Sequence, residues 1–196
     1  MAARIALGDV LNLVEYEKVR DERRRRVLAQ KRARRVSVGP YLSFVFESRE
    51  TVLFQIQEMC RAERIVADAR IQEEIDVYSE LLPGPGELSA TLMIEIEDKE
   101  RIKPLLDGFL GIDTGRHVWM ETGTGLTVPA EFEPGHSDEE RGKLSAVHFL
   151  RFAFSEAAVR AFRDSPVALV VDHRGGRGRT ALSAETKAAL LEDLAP

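Results

Sequence analysis

The sequence predicts an α+β domain in which a mainly antiparallel or mixed sheet packs with several helices. Three observations carry that prediction. A strand apolar on both faces, Tyr41–Phe46, runs into a helix; four or more short alternating segments follow it; and helical periodicities recur between them rather than in one block. The hydrophobic share of 44% over 196 residues supports a sizeable core, and one domain spanning residues 1–196 is the expected organisation.

Leu7, Val10, Leu11 and Val14 have helical spacing at the start of the chain, with Asp9 in the opening turn. A basic N-terminal helix then occupies about 15–35, free of Pro and Gly. Residues 1–40 hold eleven Lys or Arg against five Asp or Glu, a net of +6, while the whole chain is at −5, so the remainder carries −11. Spacings of three and four let Asp21 and Glu22 meet Arg24, Arg25 and Arg26, and Val19, Val27 and Leu28 leave only a thin apolar seam.

Val36–Val38 is a short strand interrupted by Gly39-Pro40. In the next strand Leu42, Phe44 and Phe46 share one face, with Tyr41 and Val45 on the other, which predicts cover on both sides. Ser48 is placed to cap the helix that follows, whose stripe is Val52, Ile56, Met59 and Val66, widened by Leu53 and Cys60. Gln55 and Glu58 lie beside that stripe, and Arg61 is the cation within helical reach of Glu58. Ile71, Ile75, Tyr78 and Leu82 define a further helix, stopped by Pro83-Gly84-Pro85-Gly86.

Leu88–Glu97 reads as a strand, and Ile102, Leu105, Leu106 and Phe109 as a helix in which Pro104 must start, kink or interrupt. His117–Glu121 and Leu126–Phe132 flank Thr122-Gly123-Thr124-Gly125, a hairpin turn. Residues 134–143 form a polar loop, and a strand runs from Val147 to about Phe154. Ser155 caps a helix facing inward through Ala158, Val159 and Phe162; Val167–Val171 is an apolar strand; Asp172–Arg179 is a loop; and Ser183–Leu194 is the last helix.

Several chemistries are disfavoured at once. The glycines around Thr122–Gly125 lack the Gly-Lys-Ser/Thr continuation of a phosphate loop, and no dinucleotide fingerprint follows a strand. The four histidines (His117, His136, His148, His173) have neither zinc-finger nor HExxH spacing, and one cysteine furnishes no thiolate cluster, so no metal ligands are assigned. Cys60 forms no intrachain disulfide, no apolar run reaches membrane-spanning length, and the first residues lack a secretion signal; a cytoplasmic protein is expected. No cofactor is specified.

Three candidate sites remain. Arg20, Arg23, Arg24, Arg25 and Arg26 are candidate docking residues for an acidic partner. Arg49, Gln55, Glu58 and Arg61 are a candidate polar site on the 49–66 helix, the alternative being a network that fixes helix docking. His173, Arg174, Arg177 and Arg179 are candidate anion-binding residues, since glycines admit a ligand and guanidinium groups hold phosphate or carboxylate. The first favours an accessory or protein-interaction protein, the second a small enzyme or ligand-binding protein. Nucleic-acid binding through the basic helix ranks third, because the chain is acidic overall and no aromatic residue interleaves the basic run.

The segments RRVSVGPYLSFVFESRETVLFQIQEMCRAERI, LLPGPGELSATLMIEIED and VALVVDHRGGRGRTALSAETKAALLEDL resemble the bacterial family catalogued as domain of unknown function 3501, over nearly the whole chain. The resemblance implies no catalytic residue. Genes of that family often neighbour those for rubrerythrin-like and iron–sulfur oxidoreductase proteins, which implies a redox or stress-response setting and a partner of that kind. The 172–179 loop is richer in Gly and Arg here than the form associated with the family.

Overall fold

The computed structural model describes residues 4–135, 137–138 and 143–194. His136 and residues 139–142 of the polar loop lie outside the described residues.

Leu7–Asp9 is a single 3-10 turn, not the first turn of a helix. The helical spacing fails there because Gln57 takes both backbone groups of Leu11: Leu11 N–H donates to Gln57 Oε1 at 2.8 Å, and Gln57 Nε2 donates to the Leu11 carbonyl at 2.8 Å. The helix α1 (Leu13–Ala33) therefore starts afresh at Asn12, whose Oδ1 accepts from Glu15 N–H at 3.0 Å. Strands β1 (Arg35–Val38) and β2 (Leu42–Phe46) form a hairpin about Gly39, which holds φ 64°, a left-handed conformation suited to glycine. Every residue of β2 is buried, as its two apolar faces require.

Helix α2 (Arg49–Ala62) is capped reciprocally: Ser48 Oγ accepts from Thr51 N–H, and Thr51 Oγ1 accepts from Ser48 N–H at 2.8 Å. Helix α3 (Asp68–Ser79) buries Ile71 and Ile75. Strand β3 (Glu87–Ile94) pairs with β2 across the Pro83–Gly86 break. Helix α4 (Ile102–Gly108) has Pro104 in its first turn, where the missing N–H leaves no helical bond unmade.

Strands β4 (Val118–Thr122) and β5 (Thr127–Phe132) make the expected hairpin, with Gly125 at φ 84°. Short strands β6 (Ser137–Asp138) and β7 (Lys143–Leu144) pair with each other. Strand β8 (Val147–Ala153) follows, then α5 (Glu156–Asp164), β9 (Val167–His173), β10 (Gly176–Ala181) and α6 (Ala184–Leu194). The expected loop at 172–179 is instead the end of β9, a turn and most of β10. Composition hides β10 because its pairing is backbone-borne: the apolar β9 supplies a full antiparallel partner from Gly176↔His173 to Ala181↔Ala168.

The eight long strands form one sheet in the order β1-β2-β3-β8-β5-β4-β9-β10, with every pairing antiparallel. Its two edges meet: Thr180 Oγ1 donates to the Ser37 carbonyl at 2.7 Å, and Gly178 sits so close to β1 that a Cβ would lie 2.8 Å from Val38 Cγ1. The sheet is thus curled into a near-barrel.

Its interior is filled. Phe44, Phe46, Leu92, Met120, Phe152 and Leu169 are fully buried in one cluster, which Phe162 of α5 and Leu190 of α6 complete. A second cluster lies outside the sheet, where Val52, Leu53, Ile56 and Cys60 of α2 meet Ile71 and Ile75 of α3. With the lumen occupied by side chains, ligand or partner contacts must be made on the outside.

Candidate functional site

Helix α1 buries only Tyr16 and Val27 along 21 residues. So small an apolar seam cannot anchor it alone, and polar groups do the rest. Arg20 grips Glu58 of α2 with two parallel bonds, Nε to Oε1 and Nη2 to Oε2, both 2.8 Å. The Tyr16 hydroxyl donates to the same Glu58 Oε1 at 2.6 Å. The Arg20 bonds hold the Glu58 carboxyl below its ordinary range against the opposing effect of burial, with Tyr16 adding to the depression. Burial, then the bond to Glu58, pushes the Tyr16 phenol well above its usual value.

The candidate polar residues of α2 are distributed along this interface. Arg49 pairs with Asp9 at 2.6 Å, Glu58 with Arg20 and Tyr16, and Arg61 with Glu17. Gln55 turns instead toward the Tyr78 hydroxyl of α3. Glu58 therefore takes its ion pair from the facing helix, while Arg61, one turn along its own, adds only a longer-range attraction. A sequence shows the i+3 neighbour but not which residue of another helix lies opposite.

At the C-terminal end of α1, Arg34 is 1% exposed. Its guanidinium donates to the Glu47 carbonyl (3.2 Å), the Ala189 carbonyl (2.8 Å) and Asp193 Oδ2 (2.6 Å). Burial raises the Asp193 carboxyl, and the Arg34 bond opposes that rise. Arg26 reaches Glu50, and Arg35 reaches Glu95 at 3.3 Å.

Once these pairs are set aside, a second population of cations stands on the outer face of α1. Arg24, Arg25 and Arg32 are exposed and Lys31 half-buried, and among the described residues none of the four is in an ion pair. Their spacing, with Leu28 between them, is the i, i+1, i+4, i+7, i+8 pattern of a single helical stripe. Leu28 is 39% exposed at its centre. Of the expected docking residues, Arg24 and Arg25 belong to this stripe, Arg23 is half-buried near Tyr16, and Arg20 and Arg26 bond to α2 or its first turn. Lys31 and Arg32 complete the stripe; the signal for them is their distance of seven from Arg24 and Arg25.

The candidate anion residues do not converge. His173 is buried, stacked on Phe109 at 6.1 Å and edge-on to His117 at 4.7 Å, with Nδ1 accepting from Gly175 N–H at 3.1 Å. Burial lowers its pKa, the His117 and Arg174 charges lower it further, and the Leu110 carbonyl and Asp172 oppose them. Arg177 pairs with Asp172 at 2.7 Å, Arg179 with Glu121 at 3.4 Å, and Arg174 reaches the Leu110 carbonyl at 3.4 Å. Among the described residues no three His, Cys, Asp or Glu side chains assemble as a metal set, and no helix is long and apolar enough to cross a membrane. Cys60 is buried, and burial raises its thiol pKa, with Glu74 adding to the rise.

Comparison with known proteins places these features in a family. The family described as "Protein of unknown function (DUF3501)" matches residues 4–194. A crystal structure of a novel protein of unknown function from Burkholderia pseudomallei K96243 is similar at a TM-score of 0.89 and 31% identity, covering 98% of this chain and 100% of that one. No curated protein matches.

Proposed function

We propose that this chain, which belongs to the DUF3501 family, is an accessory protein that docks an acidic protein partner on the outer face of α1. The supporting observation is the division of the basic helix into two populations. Arg20, Arg26 and Arg34 are engaged with the rest of the chain, whereas Arg24, Arg25, Lys31 and Arg32, around an exposed Leu28, are outside the ion pairs of the described residues.

Eight residue steps of helix give a stripe about 12 Å long. That is the span of a small electrostatic contact with one apolar point at its centre. Its charge steers an acidic partner toward the helix, and the desolvated leucine adds grip once the two meet. The redox setting implied by the family resemblance makes an acidic rubrerythrin-like or iron–sulfur protein the first partner to try.

The test compares the protein with its R24E/R25E/K31E/R32E variant, each isolated gently from the native cells and weighed by native mass spectrometry. The wild type is expected to carry a stoichiometric acidic protein that the variant loses, with thermal melting of the variant unchanged. Equal recovery of that partner by both proteins overturns the proposal. So does salt-sensitive, submicromolar binding of a short DNA duplex by the wild type alone, which would reassign the stripe to phosphate.

A further inference from the structure

A cavity of about 350 Å³ lies between the C-terminal end of α3 and the outer face of the sheet. Its floor is set by register. Ser89 of β3 pairs with Arg151 of β8, which pairs with Glu131 of β5, and Glu47 continues that row by donating its N–H to the Ser89 carbonyl. In the next row Thr91 stands beside Phe149, whose carbonyl accepts from Glu133 N–H. Glu80 and Leu81 close the top.

Charge in this cavity is one-sided. Among the described residues, Glu47, Glu80 and Glu131 line it and Arg151 is the one cation. Arg151 is turned to other work: its guanidinium donates to the Leu82 carbonyl (2.9 Å), Glu87 Oε2 (3.1 Å) and the Glu80 carbonyl. Glu47 is the telling residue. It is 3% exposed, and its two carboxylate oxygens accept from the hydroxyls of Thr51 (2.5 Å) and Thr91 (2.7 Å). Among the described residues no cation pairs with its carboxylate, and the Arg34 guanidinium meets only its backbone carbonyl. A buried carboxylate with hydroxyl donors alone lacks the counter-charge that burial ordinarily demands.

We infer that this cavity binds a small organic cation, an ammonium or amidinium group on a short apolar body, with Glu47 at its base and Phe149 along its wall. The volume falls in the range of small-molecule sites. Among the described residues the carboxylates form no metal set, so they suit an extended cation better than a bare ion. An aromatic ring beside them favours a cation that carries apolar surface. This site is separate from the α1 stripe, and neither proposal rests on the other.

The test is isothermal titration calorimetry of the full chain at low salt with benzamidine and with putrescine, using benzamide as the neutral isostere of the first. At least one cation is expected to saturate a single site below about 10 mM, the weak end of specific binding. Benzamide should not bind. Glu131→Gln, at an exposed position on the floor, should weaken binding about fivefold, the effect of losing one partly solvated charge contact, and Glu47→Gln should weaken it more. Absence of saturation by both cations overturns the inference, as does equal binding of benzamide. Unchanged affinity in Glu131→Gln also overturns it, which keeps the test decisive if Glu47→Gln does not fold.

Discussion

Removing the Arg20 side chain should destabilise the fold in a way that only Glu58 can account for. The pair is bidentate at 2.8 Å, with the two side chains 25% and 28% exposed. Hydrogen bonds to charged groups contribute about 1.5–3 kcal/mol when shielded and less as water gains access. Arg20→Ala is therefore expected to cost about 2 kcal/mol, and Glu58→Gln a similar amount. Tyr16→Phe, which removes one donor from Glu58, should cost about 1 kcal/mol. Because Arg20 and Glu58 act on each other, the double variant should cost less than the sum, with a coupling of about 1.5 kcal/mol.

Urea unfolding followed by circular dichroism reads all four proteins of this cycle. The pH dependence supplies a second readout. The Glu58 carboxyl is held below its ordinary 4.5 in the folded state, so its contribution is complete above that value and is lost as pH falls through the folded pKa. Arg20→Ala should flatten that acid limb. A coupling below about 0.5 kcal/mol would class the contact with ordinary surface ion pairs and refute the view that polar bonds anchor α1.

Two further outcomes follow from the β9–β10 turn. The folded pKa of His173 lies below its ordinary 6.5; folded stability should therefore decline as pH falls from about 6.5 through the lowered value, and His173→Gln should lessen that slope in thermal melts. A methyl group on Gly175 would meet the Gly108 carbonyl oxygen at 2.5 Å and its carbon at 2.7 Å, whereas one on Gly8 meets nothing within 4 Å. Gly175→Ala should cost about 1–3 kcal/mol by overpacking, and Gly8→Ala less than about 0.5 kcal/mol. Similar melting of the two variants would show that the 174–175 turn yields without cost.

The elements legible in the sequence are those specified by their own residues. Ser48, Ser155 and Ser183 each accept an N–H in the first turn of the helix they precede, and Thr122–Gly125 turns the β4–β5 hairpin. The two-sided apolar pattern of Tyr41–Phe46 likewise announces a strand buried on both faces. What escaped depends on residues far away. Arg34 looks like one more member of a basic run, and its partner Asp193 is 159 positions distant. Gln57 ends a helical pattern 46 positions earlier by bonding to Leu11. Closure of the sheet rests on Thr180 reaching Ser37, and no local pattern encodes that meeting.

The same distinction bears on the docking face. A helix that buries only two side chains is held in place by its polar inner face: Gln57 at the entry, Glu58 at the middle, and Asp193 with the Glu47 and Ala189 carbonyls at the exit. Those contacts fix the rotation of α1 about its axis, and with it the direction in which Arg24, Arg25, Lys31 and Arg32 project. The net charge of residues 1–40 is therefore two quantities. One part is structural, screened by partners and required for folding; the other is outward, exposed to salt within a Debye length of about 8 Å at physiological ionic strength. Charge reversal on the inner face should lower stability whether or not a partner is present. On the outer face it should leave stability alone and act only on association, so the two kinds of variant separate a folding role of the basic helix from a recognition role.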